Sequence, residues 1–363
     1  MGRNMSVLML ATMEVFGTVG FAAKYLEPVE NFDTSQLDLK DIPLYDLAKY
    51  TDGKHYMVPY FQEPNGLILR SDLLNDPAEK DAFQKQYGYA LDIPKTEDQY
   101  LDQLKFFTRP DKGLYGLIIY GKRAAWDQIH FQNLLHARGL EYMDWKTYQP
   151  HMSTPEVQQA LKDWKALFQY ADPSSLDADW FTGNANWKAG RAYSIDSWGS
   201  NYVYSNDKTG SQVAGKVVMV PYPTKLPKAI GFAVQEGLAV TTTTKNRDEA
   251  WKFIVWATSK AAQKRAVLDS ALGTIPASYA ALADADVNKK LPLANIVGLL
   301  QNSDIRPDSP LLPEGRQINL EILTKYLSMY LTGEVTAEEM GKQFDDEING
   351  ILKKGGYPTP WLK

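Results

Sequence analysis

Residues 58–69 read Val58-Pro59-Tyr60-Phe61-Gln62-Glu63-Pro64-Asn65-Gly66-Leu67-Ile68-Leu69. Apolar residues at both ends enclose two amides and a carboxylate. Burying such groups without partners is costly, so Gln62, Glu63 and Asn65 must meet either protein groups or a ligand. Two later segments have the same character. Asp196-Ser197-Trp198-Gly199-Ser200-Asn201 follows the β-rich run 192–195, and Trp126-Asp127-Gln128 follows the β-rich run 115–120. Each alone is more often a turn or a core edge than a site. Three of one kind, all expected at strand exits, point to a shared cleft.

The surrounding chain alternates strands with helices. Thr96 with Gln99 three residues on, Asn246 with Glu249 and Thr336 with Glu339 are helix-start patterns, and Pro155 suits a first helical position. Val157, Leu161, Trp164 and Phe168 then repeat at helical spacing. Short β-rich runs at 115–120, 192–195, 216–220 and 238–242 lie between such helices, which implies an α/β protein with covered sheets. Turn-rich stretches at 204–215, 221–228 and 303–315 do not read as free linkers, so the strands belong to interleaved units. At the front, Met1–Asn4 followed by the apolar run 7–23 has a signal-peptide outline, but Glu14 sits in its middle. The alternative is a buried strand over 6–10 followed by a helix through Val15, Phe16 and Phe21 to Tyr25.

Composition narrows the chemistry. The 363 residues fit two moderate domains, with 44% hydrophobic and 23% charged residues. Thirty-nine Lys and Arg stand against 44 Asp and Glu, a net charge of −5 that argues against a nucleic-acid partner. The absence of cysteine removes thiol nucleophiles, Cys-based metal sites and disulfides. No zincin, nucleophile-elbow, Walker or dinucleotide motif occurs, and His55, His130, His136 and His151 read as surface or hydrogen-bonded side chains. Asp172, Asp177 and Asp179 lack the order of a calcium loop and read as a solvated turn. Nine Trp, 21 Tyr and 13 Phe include core residues, but so many Tyr and Trp also suit a cleft that grips something polar and flat. Neither a cofactor nor a metal site is expected.

Gly53-Lys-His-Tyr-Met-Val-Pro-Tyr60 with 67–74, Pro94-Lys-Thr96, Gly113-Leu-Tyr-Gly116, 187–196, 213–217 with Pro221-Tyr-Pro223, 245–254, Gly273-Thr-Ile-Pro276 and 331–339 resemble, in order and spacing, segments of the family 1 extracellular solute-binding proteins of carbohydrate ABC importers, the maltose-binding-protein group. The resemblance covers about residues 50–352, with Glu97 where the family usually has Trp. It implies a two-lobed α/β fold with three hinge crossovers and a ligand cleft between the lobes. The smaller lobe would comprise 1–62 and 238–285, and the larger 63–237 and 286–363. Family members carry a strand, helix and strand ahead of the segment that 6–10 resembles, so the smaller lobe is expected to be N-terminally incomplete.

The same resemblance places Tyr60, Gln62, Glu63, Asn65, Asp196, Trp198, Gln235, Glu236, Gly273 and Thr274 at the cleft. Thr12 and Glu14 join them on the loop after the first strand. Trp126 and Asp127 come from the residue reading alone. A sugar offers a C–H face for Trp or Tyr and hydroxyl edges for carboxylates and amides, so Tyr60, Trp126 and Trp198 are the stacking candidates. The implied function is the binding component of an importer: a carbohydrate or sugar-alcohol ligand, permease subunits as partners, a periplasmic or extracytoplasmic location, and a monomer without enzymatic activity. The main rival is a glycoside hydrolase-like enzyme, which needs two carboxylates facing each other across the sugar. A protein-interaction scaffold is the third reading.

Overall fold

The computed structural model describes residues 7–11, 25–50, 52–123, 126–269 and 275–362. The chain forms two compact units. The first comprises Met1–Pro64, Phe232–Gln301 and Ile305–Gln317; the second comprises Asn65–Gly231, Asn302–Asp304 and Ile318–Lys363.

The first unit is built on an antiparallel sheet of β1 (Val7–Ala11), β6 (Ala229–Val240) and the leading half of β2 (Val58–Arg70). β6 is central, with Val7 opposite Val240 on one side and Val58 opposite Leu238 on the other. A bulge between Pro59 and Phe61 sets Tyr60 out of register. The core gathers Val58, Leu238 and Val240 from the sheet with Trp251 and Ile254 from the helix Arg247–Ala257. Phe32 stacks on Trp251 with ring centres 4.6 Å apart.

In the second unit the sheet order is β5 (Val217–Val220), the trailing half of β2, β4 (Ala192–Trp198) and β3 (Tyr115–Ile118). β3 and β4 are parallel; β2 is antiparallel to both of its neighbours, β4 and β5. Helices Glu97–Phe107, Gln128–Ala137 and Trp180–Lys188 pack on these strands. Trp164, Trp187, Phe107, Phe131 and Phe344 fill the interior.

Local signals set the helix starts. Thr96 accepts from the N–H of Gln99, and Pro155 opens Pro155–Ala166. Thr336 and Glu339 form a reciprocal capping box on Ala337–Lys354. Two expectations need correction. Tyr60–Asn65 and Asp196–Trp198 lie inside β2 and β4, not beyond strand ends. The dividing points also differ from 62/63, 237/238 and 285/286, since 286–301 and 305–317 sit in the first unit. The helix Ala285–Lys290 is tied there to Lys260–Asp269: Lys290 donates to the carbonyls of Val267 and Leu268 at 3.0 and 2.7 Å, and Lys264 pairs with Asp284 and Asp286 at 2.9 Å each. Thr12, Glu14 and the helix expected through Val15 and Phe21 lie outside the described residues.

Thr336→Ala should remove one capping bond and cost about 1 kcal/mol. Thermal unfolding should then shift down by about 2–4 °C in a unit of this size. An unchanged midpoint would show that the cap adds nothing.

Candidate polar site of the second unit

β3 and β4 run parallel, so their C-terminal ends lie at one edge of the sheet, the position where open α/β sheets place ligands. Asn65 pairs with Trp198 at that edge. The helix Gly199–Ser205 begins directly after β4, bringing Asn201 into its first turn. The loop after β3 leads through Trp126 and Asp127 into Gln128–Ala137. Asp127, His130 and Asn133 follow at three-residue steps, so each neighbours the next along that helix.

Asn133 joins these elements. Its amide nitrogen donates to Oδ1 of Asn65 and, at 2.7 Å, to Oδ1 of Asp196. Both amide hydrogens are thereby used. What remains around it is unsatisfied. Nδ2 of Asn65, Oδ2 of Asp196, both Asp127 oxygens, Oε1 of Gln128, both ring nitrogens of His130 and both amide atoms of Asn201 are buried without a hydrogen-bond partner among the described residues. Buried polar groups are ordinarily paired, so a concentration of this kind calls for something else to complete it.

Tyrosines close the surroundings. Tyr120 donates to Oδ1 of Asn184 at 2.9 Å and shares a 3.0 Å bond with Ser197. The ring sits where a Cβ on Gly183 would come within 2.6 Å of it, so this helix position accepts only glycine without displacement. Tyr100 shares a 2.8 Å bond with Ser194, and Tyr222 packs edge-on against both Tyr100 and His130. A nearby groove of about 330 Å³ is lined by Glu97, Tyr100, Arg138, Asp163 and Tyr222, and none of the unsatisfied groups lines it. Arg138 is engaged there with Glu97 and Asp163 at 2.9 and 2.7 Å.

Electrostatics follow burial. Burial pushes the Asp196 carboxyl well above the usual carboxylate range, against the bond from Asn133. Asp127 is pushed up in the same way, opposed by the backbone N–H groups of Asp127 and Gln128 and by Arg123. Burial takes His130 down to about 4, so its imidazole is neutral at pH 7. Tyr100 and Tyr222 are raised, again chiefly by burial, with Asp196 adding to the effect on both.

Trp198 differs from its sequence reading. Expected as a stacking surface and flanked by the small residues Ser197, Gly199 and Ser200, it is only 5% exposed and meets Trp126 edge-on at 5.9 Å. Truncating it would therefore cost stability as well as any contact. Trp126 is half-buried. Asp172 is not a solvated residue either: it is buried and accepts from Arg191 at 2.7 Å, while Asp179 caps Trp180–Lys188.

The first unit carries its own polar strip on paired strands. Gln62 stands opposite Gln235, both fully buried. Gln62 donates to the carbonyl of Pro276 at 3.1 Å, and its Oε1 has no partner among the described residues. Glu63 and Glu236 are half-buried. The Tyr60 ring packs against the apolar core and tilts over Phe61. Gly273 and Thr274 lie outside the described residues.

His130 and Asn133 were missed by sequence reasoning as site residues. A signal existed: Gln128-Ile-His-Phe-Gln-Asn-Leu-Leu-His-Ala137 has five polar residues but no Asp, Glu, Lys or Arg. A solvent-facing helix rarely lacks charge altogether, and this one is buried along its whole length. Among the described residues, no group of three or more His, Cys, Asp or Glu is placed to hold a metal, and no helix is long and apolar enough to cross a membrane.

An α/β protein of two units, with buried polar groups left open at parallel strand ends, has the make-up of a small-molecule binding protein. The chain belongs to the bacterial extracellular solute-binding protein family, whose sequence model matches residues 11–264, and it has that family's two-lobed α/β fold. A mannitol-binding protein of Pseudomonas aeruginosa is 24% identical over 375 residues, covering 96% of this chain and 81% of that protein. A solute-binding protein from Agrobacterium radiobacter, solved in complex with ribitol, is 22% identical with a TM-score of 0.77, covering 96% of this chain and 85% of the other. A maltose-bound protein of T. maritima gives the same TM-score at 20% identity, covering 97% and 85%.

Because a buried carboxyl with a raised pKa holds its proton in the folded state and loses it on unfolding, stability should fall as pH rises from about 4 toward the raised value. Asp196→Asn should flatten that decline and raise the melting temperature at neutral pH, with little change near pH 4. Melting curves across the pH range check this; parallel pH profiles for the variant and the parent would contradict it.

Proposed function

We propose that the chain is the binding component of an ABC importer, acting outside the cytoplasmic membrane, taking up a sugar or sugar alcohol and passing it to permease subunits. The observation that carries this reading is the set of buried donors and acceptors without partners at the ends of β3 and β4, beside Trp126 and Trp198. A hydroxyl both donates and accepts, so a polyhydroxylated ligand satisfies amides and carboxyls together. Indoles supply apolar faces for its C–H groups.

The names of the relatives support the ligand class, since they include mannitol- and maltotriose-binding proteins and complexes with ribitol and D-mannitol. They favour binding over hydrolysis, and the enzyme reading has no observation of its own. Selectivity would arise because a ligand lacking one hydroxyl leaves a buried group unpaired.

Calorimetric titration with mannitol, ribitol, maltose and maltotriose should give saturable one-to-one binding for at least one of them, with no new reducing ends on incubation. Trp126→Ala should weaken that binding about 5- to 150-fold, the equivalent of about 1–3 kcal/mol, with little loss of thermal stability. Heat-silent titrations with every carbohydrate, or turnover abolished by one carboxylate substitution, would overturn the reading.

A further inference from the structure

We infer that Asn319 is a positioning residue for the polar cluster. Through Gln132 it sets the rotation of the Gln128–Ala137 helix, and so fixes where Asn133 and His130 point. This rests on the carbohydrate reading above and names what holds that site in register.

The helix needs a directional hold. All ten of its residues are buried, and none is Asp, Glu, Lys or Arg. Apolar contact is non-directional, so packing keeps such a helix in place without choosing which side faces the strands. Hydrogen bonds make that choice, because they require alignment. Asn133 donates to Asn65 on β2 and Asp196 on β4. Gln132, one residue earlier, points to a different side of the helix. Its Nε2 donates to Oδ1 of Asn319 at 3.0 Å, and both side chains are fully buried. The Tyr142 hydroxyl reaches the same oxygen at 3.5 Å. Neighbouring side chains held on two sides stop the helix from turning about its axis.

An uncommon turn delivers Asn319 to this place. The chain passes from the first unit to the second between Gln317 and Ile318. Ile318–Leu323 form a π-helix between the helical segments Gly315–Gln317 and Thr324–Thr332. Single π turns inserted in α-helices are frequent at functional sites. Here Ile318, Ile322 and Leu323 are buried with the polar Asn319. A buried amide pair adds little net stability over two apolar side chains of the same shape. What it adds is one specified arrangement.

The test uses three forms of the full chain: the parent, Gln132→Leu with Asn319→Leu, and the exchanged pair Gln132→Asn with Asn319→Gln. Replacing both amides by leucine leaves no orphaned partner in the pair, so the fold should survive with a melting temperature near the parent's. The first measurement needs no ligand. Nuclear magnetic resonance should show the side-chain amide protons of Asn133 exchanging with water at least about tenfold faster in the double-leucine variant. The second is calorimetric titration with whichever of mannitol, ribitol, maltose and maltotriose binds the parent, whose affinity should fall at least about tenfold. The exchanged pair, which keeps the summed side-chain length and the amide bond, should return both readings to within about threefold of the parent. Asn133 exchange and affinity both unchanged in the double-leucine variant would overturn the positioning role and leave carbohydrate binding standing. A loss that the exchanged pair does not reverse would also overturn it. If none of the four carbohydrates binds the parent, the carbohydrate reading fails, while the Asn133 exchange rates still decide whether Asn319 positions the helix.

Discussion

A carboxyl group taken out of water must be given hydrogen bonds or a counter-charge, and in the second unit that requirement falls on Asn133. Its two amide hydrogens hold Oδ1 of Asn65 on β2 and Oδ1 of Asp196 on β4. Two adjacent strands and a helix are thereby joined through one side chain. The remaining oxygen of Asp196 and the remaining nitrogen of Asn65 are left facing no protein partner among the described residues. The bonds that fix the site also determine which of its atoms stay open.

The arrangement depends on chain direction. Because β3 and β4 are parallel, Trp126–Gln128 and Trp198–Asn201 leave the sheet at the same edge, and β2, running the other way, delivers Asn65 there. A buried helix then contributes its polar side chains without carrying a charge to the surface. Stability is given up at this edge, since burial opposes the charged forms of Asp127 and Asp196. Tyr120, Tyr100 and Tyr222 confine the cluster, and Gly183 lets Tyr120 approach.

How far the sequence made this legible depended on how local each signal was. Helix starts at Thr96, Pro155 and Thr336 were readable because a cap is set by residues three apart. β2 was not, because Gln62, Glu63, Pro64 and Asn65 look like an interruption. In the structure the strand continues through them while its neighbours change, β6 before Pro64 and β4 with β5 after Asn65. Asn65, Asp127 and Asp196 could be singled out as polar residues in apolar surroundings. Asn133 and His130 could not, because a helix buried on all sides shows no hydrophobic periodicity to mark its inner face. Trp198 was misjudged for a related reason: small sequence neighbours say nothing about Trp126, which covers it from another segment.

The central claim is that a bound carbohydrate completes the open groups around Asn133. A crystal structure of the chain with whichever sugar or sugar alcohol binds it in solution tests this most directly. The account predicts ligand hydroxyls within hydrogen-bond distance of Asp196 Oδ2 and Asn65 Nδ2, with a carbon face against Trp126. Ligand density elsewhere, with ordered water alone bonded to those atoms, would contradict it.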